Sequence, residues 1–123
     1  ALRHPDLFDT AIALSGVYDA RFFTDEYHGD QAVYFNSPID YLWNQHDSWF
    51  LDRYRKNHYI VAVGQGAWEE QHVVSTQRLE EVFTEKGIPG WFDYWGHNVD
   101  HDWPWWRVQM PYFLGKLEEQ GII

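Results

Sequence analysis

Tyr59-Ile60-Val61-Ala62-Val63-Gly64 is the stretch whose reading decides the fold. It is β-branched, apolar at successive positions and closed by glycine. A strand with one face in water alternates polar and apolar residues, whereas a strand in a parallel sheet covered on both sides is apolar throughout. The segment therefore predicts a central, doubly covered strand over 59–64. Working outward, Glu70 to Lys86 predicts a helix with Val74, Leu79, Val82 and Phe83 roughly on one face and Glu80, Glu81, Glu85 and Lys86 towards water. Gly87 suits the left-handed position after that helix, and Pro89 prevents its continuation. Trp91-Phe92-Asp93-Tyr94-Trp95 predicts the next strand. Trp105 to Gln120 predicts the last helix, with Pro111 expected to kink it or delay its start. Upstream, Thr10-Ala11-Ile12-Ala13-Leu14 predicts a first strand ending at Ser15-Gly16.

Strands alternating with helices imply a parallel sheet with right-handed crossovers. The predicted architecture is α/β, with about three parallel strands, flanking helices and an aromatic-rich irregular insertion over 17–57. Short helices are expected within that insertion near Ala20–Thr24, Pro38–Trp43 and Ser48–Tyr54. Three strands are few for such a sheet and leave one edge bare. The opening Ala1-Leu2-Arg3-His4-Pro5 reads as the end of a helix whose start lies upstream. Both features lead to the expectation that residues 1–123 form a single partial domain.

Composition narrows the function classes. The 123 residues carry a formal net charge of −10, and no basic stripe is present. This argues against nucleic acid and against anionic membrane surfaces as partners. No apolar run approaches the roughly 20 residues needed to cross a bilayer. There is no cysteine, so disulfides and thiolate metal sites are excluded, and a cytoplasmic location is compatible but not established. Aromatic residues make up 20% of the chain, more than a small domain can hide in its core. Such a surface also makes self-association a possible outcome.

In open parallel sheets, ligands gather at the carboxyl ends of the strands. The second such loop is Gly64-Gln65-Gly66-Ala67-Trp68-Glu69-Glu70, and the third runs from Gly96-His97 through Asp100-His101-Asp102 to Trp106. An acid after one strand and a histidine after the next is the chain order of acid and base in α/β-hydrolases, where serine comes first.

The string His101-Asp102-Trp103-Pro104-Trp105-Trp106-Arg107, preceded by Gly96-His97, resembles the histidine motif of the Putative esterase family, which includes esterase D, feruloyl esterase and antigen 85 types. Leu2-Arg3-His4-Pro5-Asp6-Leu7-Phe8 resembles the segment shortly after that family's nucleophile elbow. Phe8 to Gly16, continuing into Val17-Tyr18-Asp19, resembles its next strand. The resemblance covers essentially the whole chain, as the C-terminal portion of an α/β-hydrolase. It implies that His101 is the catalytic base of a serine carboxylesterase and that Glu69, or its rival Glu70, is the acid that orients it. Asp is commoner than Glu after this strand in the family. Trp68, Trp103 and Tyr18 are candidate walls of a pocket for a small-molecule ester, and no cofactor is implied.

The chain contains no Gly-x-Ser-x-Gly turn; its serines are Ser15, Ser37, Ser48 and Ser75. Ser15 reads as structural, lining the site at most. The nucleophile is therefore expected in a missing N-terminal part, within roughly twenty residues before Ala1, and the chain alone is expected to be inactive.

Three other readings are open to this sequence. His97 and His101 are spaced i, i+4 beside Asp100 and Asp102, as in a zinc site, but Gly96 and Asn98 indicate a loop, and no metal is expected. An aromatic-rich carbohydrate-binding or interaction domain is the alternative function, although such modules are usually β-sandwiches. A stand-alone structural domain would have to cover its own sheet edge.

Overall fold

A computed structural model describes residues 1–22 and 31–123. Its centre is one parallel sheet in the order β1-β2-β3, with β1 at Thr10–Leu14, β2 at His58–Val63 and β3 at Trp91–Tyr94. Ile12 pairs with Ile60 and Val61 with Phe92, so β2 is bonded on both sides. The second strand begins one residue before the reading from sequence. The third ends one residue early, although Trp95 N–H still bonds the Val63 carbonyl at 2.8 Å.

Five helices lie among the described residues: α1 Gln31–Phe35, α2 Pro38–Trp43, α3 Ser48–Tyr54, α4 Glu70–Lys86 and α5 Trp103–Glu119. The expected helix over Ala20–Thr24 is a 3₁₀ turn at Ala20–Phe22, and its last two positions lie outside the described residues. The opening residues are not a helix end. They make successive turns, with His4 N–H on the Ala1 carbonyl and Leu7 N–H on the His4 carbonyl. Pro5 disfavours helical backbone at His4, and Asn57 Nδ2 bonds the Pro5 carbonyl at 3.1 Å.

The sheet separates two apolar layers, and alternate residues of β2 feed each. Tyr59 and Val61 face Leu79, Val82 and Phe83 of α4, together with Leu42 and Tyr54 from the insertion. Ile60 and Ala62 face Phe113 and Leu117 of α5, with Ile12 and Leu14 of β1. This two-sided burial is why the β2 sequence is continuously apolar. Fully burying a side chain such as Phe113 contributes about 1.5–3 kcal/mol. Gly87 caps α4 in the left-handed conformation, as its position after the helix requires.

The last helix begins two residues before the reading from sequence, and Pro111 does not delay its start. Asp102 Oδ1 accepts from Trp103 N–H at 2.7 Å, and Pro104 occupies the first turn, where its missing N–H removes no helical bond. Pro111 lies inside the helix, which continues to Glu119. One rung of the ladder is absent there, and the packing of Phe113 and Leu117 against the sheet offsets that loss.

Gln109, on the same inward stripe as Phe113, is 1% exposed, and neither atom of its amide has a partner. A buried unpaired polar group costs about 1–3 kcal/mol, so Gln109→Met should stabilise the chain by about 1 kcal/mol. The calorimetric melting temperature should rise by roughly 3–5 °C. An unchanged or lower value would mean that the amide is satisfied in solution.

Candidate functional site

The three strand ends converge on one carboxylate. Glu69 closes the loop after β2 at the N-cap position of α4 and is fully buried. Its Oε1 lies 2.5 Å from His101 Nδ1. Its Oε2 accepts from the Ser15 hydroxyl at 2.8 Å and from Gly64 N–H at 2.7 Å. Trp106 Nε1 donates to Ser15 Oγ at 3.2 Å, so the serine hydroxyl links the indole to the acid. A carboxylate only accepts, so His101 Nδ1 carries the proton towards Glu69, and neutral His101 keeps its lone pair on Nε2. That side chain is 29% exposed, whereas the carboxylate beneath it is shut off from solvent.

Two loops are joined to set this distance. Gly66 N–H bonds the Val99 carbonyl at 2.8 Å and His101 N–H bonds the Ala67 carbonyl at 2.9 Å. Asp100 Oδ1 accepts from Ala67 N–H at 2.8 Å. The approach demands glycine: a Cβ at Gly64 would lie 2.2 Å from the Val99 carbonyl oxygen, and one at Gly66 would lie 2.3 Å from Asp100 Oδ1. Among the described residues, the non-glycine positions with positive φ are Ser15 (50°) and Trp68 (67°). Ser15 touches Glu69, and Trp68 precedes it. Backbone strain is thus concentrated around the buried acid, as it often is at functional sites.

The remaining candidates from the sequence fall in different places. Glu70 is exposed in the first turn of α4, and His97 is exposed in the loop after β3. Trp68 is 80% and Trp103 64% exposed. Trp103 stands edge-on to Trp106, which in turn stands edge-on to His101 at 4.9 Å between centroids. Tyr18 is part of the core, with its phenol against Gly16 in the loop after β1. It is 9% exposed, and burial pushes its phenol up to about 12. Its backbone N–H is fixed to Ser75 Oγ of α4, and its ring lines an apolar cavity of about 390 Å³ with Ala11, Ala13 and Tyr59.

Three residues of the site carried no signal strong enough to single them out. In the sequence Ser15 reads as structural, Trp106 belongs to a motif string, and His72 lies outside every motif. His72 lies three residues after Glu69 on α4, a spacing that places both on one helical face and offers the one usable hint. Its ring stacks on His101 at 4.1 Å with 13° between planes. Among the described residues, the group near enough to share an ion is Glu69, His72 and His101, without His97. An ion must lie close to the plane of each imidazole it binds. Nearly parallel stacked rings direct their lone pairs along separate planes, and both Glu69 oxygens are already engaged. The arrangement as it stands suits acid–base chemistry better than metal ligation.

The model of a protein family described as Putative esterase matches residues 1–117. Among solved structures, a ferulic acid esterase superposes with a TM-score of 0.64 at 19% identity, over 89% of this chain and 40% of that one. That likeness shows the α/β fold, and the chain spans about two fifths of that esterase's length. No curated protein matches the sequence.

The hydroxyl of Ser15 is open to a direct test. Ser15→Ala and Ser15→Gly both remove its bond to Glu69 and leave the Trp106 N–H without this acceptor, at a cost of about 1–3 kcal/mol. Glycine also relieves the left-handed backbone, which should be worth about 1 kcal/mol. Urea midpoints should therefore fall in the order wild type, Ser15→Gly, Ser15→Ala. An alanine variant as stable as the glycine variant would remove the strain argument.

Proposed function

This chain belongs to the Putative esterase family, and on that premise we propose that it supplies the general base and the orienting acid of a serine-type carboxylic-ester hydrolase. His101 is the base and Glu69 the acid. The observation that carries this reading is the 2.5 Å contact of His101 Nδ1 with a fully buried carboxylate. The nucleophilic serine comes from polypeptide outside residues 1–123. Ser15 is committed to Glu69, Ser37 bonds Asp40, Ser75 accepts from Tyr18 N–H, and Ser48 opens α3.

The cycle follows from the charges. His101 Nε2 removes the proton of the serine hydroxyl as its oxygen attacks the ester carbonyl. The imidazolium so formed is held by Glu69, which stays ionised throughout. As the tetrahedral intermediate collapses, the same proton passes to the departing alkoxide and the alcohol leaves. Water then repeats the sequence on the acyl-enzyme, releasing the carboxylic acid and regenerating the serine. Trp68 and Trp103 form aromatic walls for the substrate. With those walls and a structural neighbour named a ferulic acid esterase, esters of aromatic acids are the class to try first.

Alone, residues 1–123 should hydrolyse methyl ferulate no faster than buffer does. In the polypeptide that adds the serine, His101→Ala should lower kcat by on the order of 10⁴–10⁶, and Glu69→Gln by roughly 10⁴, with KM within a few-fold. Turnover by the isolated chain, or an unaltered kcat in the His101→Ala enzyme, would end this reading.

A further inference from the structure

The contact with Glu69 restrains a single atom of the His101 ring. An imidazole tethered only at Nδ1 can still tilt about that contact and carry Nε2 away from a reacting oxygen. A second restraint on the ring plane has to come from the groups packed against it, which are His72 and Trp106.

His72 lies face to face with His101, 4.1 Å between centroids and 13° between planes. On the same imidazole, Trp106 stands edge-on at 86°, and Ser15 holds that indole by its N–H. His72 is itself anchored. Its Nδ1 lies 3.3 Å from the Gly16 carbonyl, which only accepts, so Nδ1 donates. Its backbone carbonyl accepts from the Thr76 hydroxyl at 2.8 Å within α4. The ring thus ties the loop after β1 to α4 and presents a flat face to the loop after β3.

We propose that His72 is a positioning residue for His101: its stacked, main-chain-anchored ring fixes the plane of the general base so that Nε2 has a single direction. The proposal rests on His101 being that base. The aromatic face does the positioning, and the Nδ1 anchor holds the face in place. Phenylalanine keeps the face without the donor, asparagine keeps a donor without the face, and alanine keeps neither.

The first measurement uses the 123-residue chain. The far-downfield N–H resonance of His101, assigned by its loss in Glu69→Gln, should persist in His72→Phe. It should broaden or vanish in His72→Asn and His72→Ala, with melting temperatures within a few degrees of wild type. In the polypeptide that adds the serine, His72→Ala and His72→Asn should lower kcat by roughly 10–100-fold with little change in KM, since small misplacements of catalytic groups carry penalties of that size. His72→Phe should recover most of that loss. A downfield resonance and a kcat untouched in His72→Ala would overturn the positioning role while leaving the hydrolase reading intact. Equal losses in His72→Phe and His72→Ala would overturn it as well. If His101→Ala leaves hydrolysis unchanged, the hydrolase reading fails, and the resonance in the isolated chain still decides whether His72 orders the ring.

Discussion

A carboxylate with no access to water governs this structure. Desolvating an ionised group is costly unless hydrogen-bond donors replace its hydration. At Glu69 those donors are the Gly64 N–H, the Ser15 hydroxyl and the His101 ring N–H. They come from the ends of β2 and β1 and from the loop after β3. The charge is therefore tolerated only while the three strands hold their register and the loops hold their shape. The glycines at 64 and 66, the positive φ at Ser15 and Trp68 and the bonds joining 66–67 to 99–101 are all consequences of bringing these donors to one point.

Parallel topology makes such convergence possible. With the order β1-β2-β3, all three carboxyl ends lie on one rim of the sheet, with β2 in the middle. The central strand contributes the buried acid, its outer neighbours contribute the serine and histidine, and α4 and α5 add His72 and Trp106 from opposite faces. Ser15 and Glu69 follow their strands within a few residues, His101 lies on the loop joining β3 to α5, and His72 and Trp106 lie on the two helices, so all five are positioned by the sheet and the helices packed on it.

Legibility in the sequence followed the strength of the underlying constraint. The three strands, α4 and its glycine cap could be read because two-sided burial and helical periodicity leave patterns spanning several residues. His101 and Glu69 stood out because a motif and a strand-end position mark them, although Glu69 and Glu70 could be separated only by knowing which one turns inward. The helix α1 was missed because five residues carry too little periodicity. Pro111 does not delay the start of α5, because the packing of Phe113 and Leu117 holds the helix across the missing bond. Tyr18 sits in the core because its main chain is fixed to Ser75, a contact between residues 57 apart that no local pattern records. The same is true of Ser15 and Trp106, which meet across 91 residues.

The use of glutamate at position 69 follows from its place at the N-cap of α4. The N-cap position exposes unpaired helical N–H groups, and aspartate there is strongly inclined to bond them with its own side chain. A carboxylate caught in that way would be turned towards the helix and away from histidine. Glu69 makes no side-chain capping bond, while its main-chain carbonyl accepts from Val73 N–H at 2.8 Å. Glutamate is the poorer cap, and its extra methylene carries the carboxylate past the helix end to Gly64, Ser15 and His101. The helix gives up one side-chain bond at its N-terminus, and the buried charge gains its three donors. Because the carboxylate is not drawn into capping, the longer acid can occupy the N-cap position of a helix and still reach a residue on the neighbouring strand's loop.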